Sequence, residues 1–332
     1  MATIEETAFA PVDEADLGRG NDDVLEAFLE HGAHGLPSRA VWKRIAFIIA
    51  VVGLQGTQPL SVIDFYDRHP INEAQVLAAV ARRRGPNHRA LEPSDLFDFD
   101  QDHYGGLAAV ETLARRAGIT STTRILDVCA GLGGPARFLA FRFGCRVTAV
   151  ELNAGRAAGA ARLTRLVGLG RRVLVARGDA TALPCGAARF DACLSQEAFL
   201  HIADKATVLG ECRRVLRPGG RVAFTDWIAR PRLGDLERQR LREWMAAMTL
   251  PTIEGYRHLL GRAGFTAVEA EDLSDEWRPI LRQRLGMYRA LRDETIARFG
   301  EQWYRDYQQV YGFFVGLVED GKLGGGRFSG TS

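Results

Sequence analysis

The sequence ILDVCAGLGGP, residues 125–135, decides the fold, because an apolar run passes directly into a glycine-rich turn. The run predicts a buried strand, and Pro135 predicts the first turn of a helix, where its missing N–H leaves no hydrogen bond unmade. Glycines let the turn approach a ligand closely, and the free N–H groups at the helix start favour a carboxylate. Alone, the turn does not separate a nucleoside-binding site from a tight structural turn.

The stretch lies in a region of alternating strand and helix patterns that runs from about residue 107 to 230. Short apolar runs predict five strands, at 124–128, 146–150, 173–176, 192–194 and 221–225. Helices are predicted between the strands, at 135–143, 154–167 and 205–216. Alternation of this kind predicts right-handed crossovers and an α/β fold with a parallel sheet that helices cover on both faces.

The segments before this region carry a helical pattern without strands. Residues 1–100 predict a helical N-terminal extension, with helices near 22–29 and 42–54 and a third that Asn72 caps at 74–81. The remainder, 101–332, is predicted to be one domain.

The C-terminal part of that domain is again mostly helical, and we predict a helical cover inserted at about 230–320. Weak strand patterns occur at 267–271 and 326–328. The glycine-rich segment 321–326 predicts a turn before the last strand.

Composition excludes several classes of protein. The formal net charge is +2, too close to neutral to indicate a nucleic-acid partner, and the longest apolar stretch, 45–54, is too short to span a membrane. The N-terminus is acidic and lacks the apolar core of an export signal. Five cysteines form no Cys-x-x-Cys pair, so we expect reduced thiols, no metal site and a cytoplasmic location.

Further features follow the next strands. Glu151 ends the second strand, where a carboxylate can accept hydrogen bonds from both ribose hydroxyls. Nicotinamide enzymes share this feature, so it indicates a nucleoside-bearing ligand without choosing between the two cofactors. Asp179 follows the third strand and is placed to accept from an exocyclic adenine amine. The segment 216–220, Leu-Arg-Pro-Gly-Gly, predicts a helix end and a tight turn before the fifth strand. These last two features favour a methyl-donor cofactor over a nicotinamide.

The motifs ILDVCAGLGGPARFLA, VTAVELN, GDATALP, FDACLSQEAFLH and VLRPGGRVAFTDW resemble, in order, those of class I S-adenosylmethionine-dependent methyltransferases, over roughly residues 107–230. SQEAFLH and the helical C-terminal half are similar to the methyltransferase type 11 group. That group includes sarcosine/dimethylglycine and phosphoethanolamine N-methyltransferases and related sugar O-methyltransferases. The resemblance implies a doubly wound, Rossmann-like seven-stranded sheet, and S-adenosyl-L-methionine as the cofactor.

The resemblance also assigns residues to the cofactor by their positions in the motifs. The implied contacts are Asp127, Ala130, Gly131, Gly133, Glu151, Leu152, Asp179, Ala180, Ser195, Gln196 and Tyr104. Glu151 would bind the ribose and Asp179 the adenine, while Ser195 and Gln196 would line the sulfonium end. Cys129 stands where the family pattern has its first glycine, and a residue with a Cβ predicts a negative φ there.

Methyl transfer to an ammonium or a hydroxyl also needs a base, which we expect at the carboxyl ends of strands four and five. Glu197 and His201 lie four residues apart and share a face if that segment is helical, and Asp226 ends strand five. In phosphoethanolamine methyltransferases a tyrosine of the N-terminal segment pairs with the histidine of the strand-four motif. The resemblance therefore implies that Tyr104 pairs with His201, or that His201 pairs with Asp226 as in the sugar enzymes.

The sequence thus predicts methyl transfer to a small-molecule acceptor, an amine or a hydroxyl. A thiol or carbon acceptor is an alternative, and a nicotinamide-dependent oxidoreductase is the alternative from another class. A nucleic-acid methyltransferase is disfavoured, because 194–197 lacks the Asn/Asp-Pro-Pro-aromatic pattern and the chain has no long basic stripe. We expect no membrane partner. The sequence leaves open whether the protein forms a homodimer.

Overall fold

Seven strands form one sheet in the order β3-β2-β1-β4-β5-β7-β6. The strands are β1 (Arg124–Val128), β2 (Arg146–Glu151), β3 (Val173–Arg177), β4 (Phe190–Gln196), β5 (Leu216–Ala229), β6 (Thr266–Asp272) and β7 (Leu323–Thr331). Neighbouring strands from β3 to β5 are parallel, whereas β7 is antiparallel to both β5 and β6. All seven predicted strands are confirmed. Strands β2 and β3 are added on one side of β1, and β4 and β5 are added on the other side. This change in the order of the strands opens a crevice at the carboxyl ends of β1 and β4.

The computed structural model describes residues 61–67, 69, 71–85 and 89–332. Its helices are α1 (Val62–Asp67), α2 (Glu73–Arg84), α3 (Pro93–Leu96), α4 (Gly106–Arg116), α5 (Gly134–Phe143), α6 (Ala154–Leu166), α7 (Lys205–Val215), α8 (Asp235–Met245), α9 (Ile253–Arg262), α10 (Ser274–Ala290), α11 (Arg292–Phe299) and α12 (Glu301–Glu319). The predicted helices near 22–29 and 42–54 lie outside the described residues, so the boundary at residue 100 stays a prediction.

The predicted helices that fall within the described residues are confirmed. Asn72 caps α2, because its side-chain oxygen accepts a hydrogen bond from the N–H of Gln75 at 3.1 Å. The helices α5, α6 and α7 follow β1, β2 and β4 as the alternation predicts. Within the described ranges, no helix combines the length and the apolar character that crossing a membrane requires.

Both faces of the central strands β1, β2 and β4 are buried, as the apolar strand patterns predict. In β1, Ile125 belongs to an apolar cluster with Leu139 of α5 and Leu163 of α6. The next residue, Leu126, belongs to a second cluster with Leu209 of α7 and Tyr256 of α9. Successive strand side chains point to opposite faces, so helices cover the sheet on both sides in the doubly wound arrangement.

The segment before α4 crosses the start of α5. A Cβ on Gly134 would overlap the carbonyl oxygen of Asp100, so only glycine permits this crossing. A fully buried ion pair, Asp100 Oδ2 to Arg137 Nη2 at 2.8 Å, ties the segment to α5. The crossing brings residues 100–103 to the turn after β1.

Two glycine-rich segments differ from the sequence expectation. Residues 323–326, predicted to belong to a turn, lie inside β7, and a Cβ on Gly325 would overlap the indole ring of Trp277. These glycines allow α10 to pack directly on the strand. The turn at 217–220 lies within β5, because Leu216 pairs with Phe190 and Arg221 already pairs with Ala192.

Candidate active site

A cavity of about 270 Å³ opens at the carboxyl ends of β1, β2, β3 and β4. The turn after β1 and the tips of the other strands form its floor. Tyr66 of α1 and three residues before α4, Asp100, Asp102 and His103, line its wall. The order of the strands therefore explains where the floor of the cavity lies. The wall of the cavity is formed by segments that precede β1 in the sequence.

The glycine turn is held by backbone hydrogen bonds. The N–H of Gly133 donates to the carbonyl of Ala130 at 2.8 Å, and the N–H of Ala130 donates to the carbonyl of Val150 at 3.0 Å. Gly131 has a φ of +57°, a left-handed conformation that favours glycine, and its N–H donates to Oε2 of Glu151 at 2.8 Å. The turn after β1 is thereby tied to the tip of β2.

Cys129 corrects one expectation about this turn. Its φ is +59°, not negative, so the cysteine occupies the left-handed conformation in which a Cβ is strained. The chain must turn sharply between the end of β1 and Ala130, and the hydrogen bonds of the turn hold this backbone path. The thiol lies against an apolar cluster, and burial raises its pKa well above the usual value.

Two buried carboxyl groups meet at the tips of β1 and β2. Oδ2 of Asp127 has no hydrogen-bond partner, and burial, with the Glu151 charge as a second cause, raises the pKa of Asp127 to about 7. Glu151 accepts from the N–H of Asn153 at 2.9 Å as well as from Gly131. An unpartnered buried acceptor fits a cationic group such as the ammonium of S-adenosylmethionine, and the remaining lone pairs of Glu151 fit hydroxyl donors.

The other residues expected at the cofactor divide into two groups. Ala130, Gly131, Leu152, Asp179, Ala180 and Gln196 line the cavity together with Asp127 and Glu151. Oδ1 of Asp179 accepts from the N–H of Thr181 at 2.8 Å, and the amide nitrogen of Gln196 is buried without a partner. Gly133 and Ser195 do not line the cavity, which corrects both expectations. The hydroxyl of Ser195 donates to the carbonyl of Val128 at 2.8 Å, because alternate residues of β4 point away from each other.

Glu197 lies directly after β4 and lines the cavity. Its φ of +48° is unusual for a residue with a side chain, and strain of this kind concentrates at functional sites. The carboxylate accepts from the N–H of Tyr104 at 2.6 Å and from the hydroxyl of Thr225 at 2.9 Å. Burial nevertheless raises the pKa of Glu197 to about 8.

His201 ends a short 3₁₀ helix, Phe199–His201, and lines the same cavity as Glu197. Its Nδ1 lies 3.0 Å from the carbonyl oxygen of Ala246, and its Nε2 lies 3.0 Å from the hydroxyl of Tyr66. A carbonyl only accepts, so Nδ1 carries the proton and Nε2 accepts from Tyr66. Burial, with the nearby charge of Lys205 as a further cause, lowers the pKa of His201 to about 4, and the ring is neutral at pH 7.

The partner of His201 is Tyr66, which corrects the predicted pairing with Tyr104. Tyr104 packs against α10 and does not line the cavity. Its ring packs against Trp277, with ring centroids 4.9 Å apart, and against the guanidinium of Arg284 at 4.8 Å. Tyr66 was missed because it lies in the extension whose role the sequence left open. The signal that could have found it is the run of aromatic and titratable residues 64–69, Asp-Phe-Tyr-Asp-Arg-His.

Asp226 is likewise corrected, because it is fully buried outside the cavity lining. Its Oδ1 accepts from the N–H of Leu200 at 3.2 Å, and its Oδ2 accepts from the hydroxyl of Tyr256. The carboxylate therefore braces the loop that carries His201. Burial raises the pKa of Asp226 to about 6.

Carboxyl groups outnumber basic side chains in the lining of the cavity. Within the described part of the chain, its lining includes six carboxyl side chains and one guanidinium, namely Asp100, Asp102, Asp127, Glu151, Asp179 and Glu197, with Arg156. Nη2 of Arg156 already pairs with Asp102 at 2.8 Å. Asp100 is paired with Arg137. A cationic ligand would favour the ionised forms of the other four carboxyl groups, so the site is suited to cations.

Known proteins match this chain over the same region. A family profile described as "Methyltransferase domain" matches residues 126–224. Glycine/sarcosine/dimethylglycine N-methyltransferase of Actinopolyspora halophila is 34% identical over 201 residues, which are 60% of this chain and 35% of that protein. This chain thus spans about a third of the length of that relative. Methyltransferase GfsG of Streptomyces halstedii is 32% identical over 219 residues, 65% of this chain and 77% of that protein.

A solved structure shares the fold. Phosphoethanolamine N-methyltransferase 2 of Haemonchus contortus, in complex with S-adenosyl-L-methionine, superposes with a TM-score of 0.67 at 21% identity, over 82% of this chain and 60% of that one. The proteins named in these matches are methyltransferases, so they favour methyl transfer over the alternative of a nicotinamide-dependent oxidoreductase. The chain belongs to the S-adenosylmethionine-dependent methyltransferases of the class I, Rossmann-like fold.

Proposed function

We propose that this chain methylates the nitrogen of a small amine. The observation that carries the proposal is an acidic cavity that also contains Glu197, whose pKa burial raises to about 8, beside a neutral His201 bonded to Tyr66. The proposal is supported by the names of two similar proteins, which are N-methyltransferases of glycine and its methylated forms and of phosphoethanolamine.

The cofactor S-adenosylmethionine supplies a methyl group that is already activated by attachment to a positively charged sulfur. The residues proposed to hold it are Asp127, Glu151 and Asp179, at the tips of β1, β2 and β3. Because no covalent enzyme intermediate is needed, alignment of the acceptor and exclusion of water are the main tasks of the protein.

An amine reaches the site as an ammonium, which has no lone pair until it loses a proton. Glu197 is suited to take that proton, because a base works best when its pKa lies near the operating pH. His201, with its pKa lowered to about 4 by burial, is a poor base at neutral pH. Its role in the proposal is to accept from Tyr66, which leaves the lone pairs of the Tyr66 oxygen to receive an N–H of the acceptor.

The test is a screen of amines, amino acids, thiols and hydroxylated metabolites for release of S-adenosylhomocysteine, with mass spectrometry of the products. We expect turnover with a small amine and a product 14 Da heavier that carries an N-methyl group (one CH₂ is added). Transfer only to oxygen, sulfur or carbon, or no transfer to any member of the panel, would overturn the proposal.

The proposed partner is a small molecule and not a nucleic acid or a membrane, in keeping with a net charge of only +2. None of the five cysteines is in a disulfide. Reduced thiols are usual in the cytosol, so a cytoplasmic location is part of the proposal. A homodimer stays a prediction, which sedimentation of the full chain would test.

A further inference from the structure

Arg156 in the first turn of α6 is an almost fully buried cation that the proposed chemistry does not use. Its side chain touches segments that lie far apart in the sequence. Nη1 donates to the carbonyl of Ile71 at 3.2 Å, and Nη2 donates to Oδ2 of Asp102 at 2.8 Å. Nε is buried without a partner. A buried charge is costly, so its retention at this position needs a reason.

One neighbour of the guanidinium is Tyr66. The central carbon of the Arg156 guanidinium lies 4.6 Å from the centre of the Tyr66 ring, which is within the range of a cation–π contact. A second link holds the same pair of helices together, because Nδ2 of Asn153 donates to Oδ1 of Asp67 at 2.7 Å. Asn153 also caps α6 by accepting from the N–H of Arg156 at 2.9 Å. The start of α6 is therefore fastened to α1.

The other neighbour is the glycine turn. A Cβ on Gly131 would stand only 2.9 Å from Nη2 of Arg156, so the guanidinium lies directly against the turn that faces the cofactor. Gly131 in turn donates to Glu151. One side chain thus contacts the cofactor end of the cavity and the tyrosine at its acceptor end.

We propose that Arg156 is a positioning residue that keeps the hydroxyl of Tyr66 on His201 and couples this pair to the cofactor turn. The inference deepens the proposed function and rests on it, because it gives Tyr66 a task at the acceptor. Arg156 acts through Tyr66 and needs no contact with the methyl acceptor itself. The planar guanidinium matters, because a lysine ammonium cannot both face the ring and hold the two oxygens.

The charge of Arg156 also acts on His201, which gives a readout that a purely structural role would not change. The groups that face His201 are Tyr66 of α1, His69 before α2, Arg156 of α6, Lys205 of α7 and the Ala246 carbonyl after α8. Burial is the largest cause of the low pKa of His201. The charges of Lys205, His69 and Arg156 lower it further. Removing the charge of Arg156 therefore raises the pKa of His201.

The experiment compares Arg156→Met, Arg156→Lys and the control Arg165→Met, an exposed arginine of the same helix. Three quantities are measured on the full chain, with thermal unfolding as a check of folding. They are kcat with the best amine of the screen, the affinity for S-adenosylhomocysteine by calorimetry, and the titration of the His201 ring by NMR in the unliganded protein. His201→Asn identifies the signal.

In Arg156→Met we expect kcat to fall on the order of 100-fold, as for a misplaced reacting group. The affinity for S-adenosylhomocysteine should change less than about threefold, since the residues proposed to hold the cofactor remain. The His201 titration should move to higher pH. Arg156→Lys should leave that titration near wild type and recover part of kcat. If the Met variant does not fold, Arg156→Gln, which also removes the charge, replaces it.

Two outcomes would overturn the inference. In the first, cofactor affinity falls as far as kcat/KM while the His201 titration stays unchanged, which makes Arg156 a cofactor ligand. In the second, Arg156→Met behaves like Arg165→Met. If the wild type transfers no methyl group, the proposed function fails, and the NMR titration still decides whether Arg156 acts on His201.

Discussion

The hydroxyl of Tyr66 lies 3.0 Å from Nε2 of His201, although 135 residues separate the two in the chain. The contact joins the short helix α1 to the loop after β4, across the mouth of the cavity. His201 is held from the other side by the carbonyl of Ala246, which determines the position of its proton. The proposed acceptor site is therefore assembled from three distant segments.

The Tyr66–His201 bond predicts a loss of turnover on removal of one hydroxyl. Tyr66→Phe should lower kcat on the order of 100-fold while binding of S-adenosylhomocysteine stays near wild type, because only the positioning of the acceptor is lost. A double-mutant cycle with His201→Asn should show strong coupling in kcat. Tyr104→Phe, the control, removes a hydroxyl outside the cavity and should retain most activity. Additive effects of Tyr66→Phe and His201→Asn would contradict the pairing.

Glu197 predicts the pH dependence of the reaction. Activity requires its ionised form, and burial raises its pKa to about 8, so kcat/KM should rise with pH through an acidic limb near pH 8. Glu197→Gln cannot accept a proton and should lower kcat by roughly 10²–10⁴-fold with loss of that limb. Stopped assays from pH 6 to 10 provide the measurement. A limb that persists in Glu197→Gln would assign the titration to another group.

Glu151 predicts the strength of cofactor binding. Glu151→Ala removes the carboxylate proposed for the ribose and the partner of the Gly131 N–H, so affinity for S-adenosylhomocysteine should fall by roughly 100-fold or more. Calorimetry measures the affinity for S-adenosylhomocysteine. The control is Asp275→Ala, which removes an exposed carboxylate. Unchanged affinity would mean that the tip of β2 does not hold the ribose.

The left-handed backbone conformation at Cys129 predicts a difference in stability between two small substitutions. Cys129→Gly and Cys129→Ala both lose the thiol, but only glycine relieves a φ of +59°. The glycine variant should be more stable than the alanine variant by about 1 kcal/mol. This difference is the strain that a Cβ causes in the left-handed conformation, reduced by the conformational entropy that glycine loses on folding. Urea unfolding of both variants decides this, and equal or reversed stabilities would show that the turn relaxes around the Cβ.

The buried histidines predict sensitivity to acid. Burial lowers the pKa values of His103 and His201 to about 4 each, below the value of an unfolded histidine. Between about pH 6.5 and pH 4 the unfolded state binds more protons, so the free energy of unfolding falls as the pH falls through that window. Each ring should account for about 2 kcal/mol of the loss between pH 7 and pH 4.5. His201→Asn should flatten this pH dependence in urea titrations, and a profile parallel to wild type would contradict the neutral, enclosed ring.

The sequence by itself determined the sheet, the glycine turn and the carboxylates at the strand tips. These features depend on local patterns. An apolar run that ends in glycines predicts a strand and a turn, and a carboxylate at the end of a strand predicts a polar strand tip, whatever the fold of the rest of the chain. Asp127, Glu151 and Asp179 line the cavity for this reason, and each lies within two residues of the carboxyl end of its strand. Parallel strands then bring their carboxyl ends to one edge.

Only the tertiary structure decided which side chains share the cavity. Ser195 and Gln196 are neighbours in sequence, yet strand alternation turns one into the sheet and the other into the cavity. Asp226 was expected to end strand five, but β5 continues to Ala229, and the Asp226 carboxylate is enclosed by Tyr256 and the Leu200 backbone. Tyr66, and not Tyr104, reaches His201, because α1 places Tyr66 at the cavity while Tyr104 packs against Trp277 of α10. Contacts over more than a hundred residues depend on how the elements pack, and no local pattern contains that information.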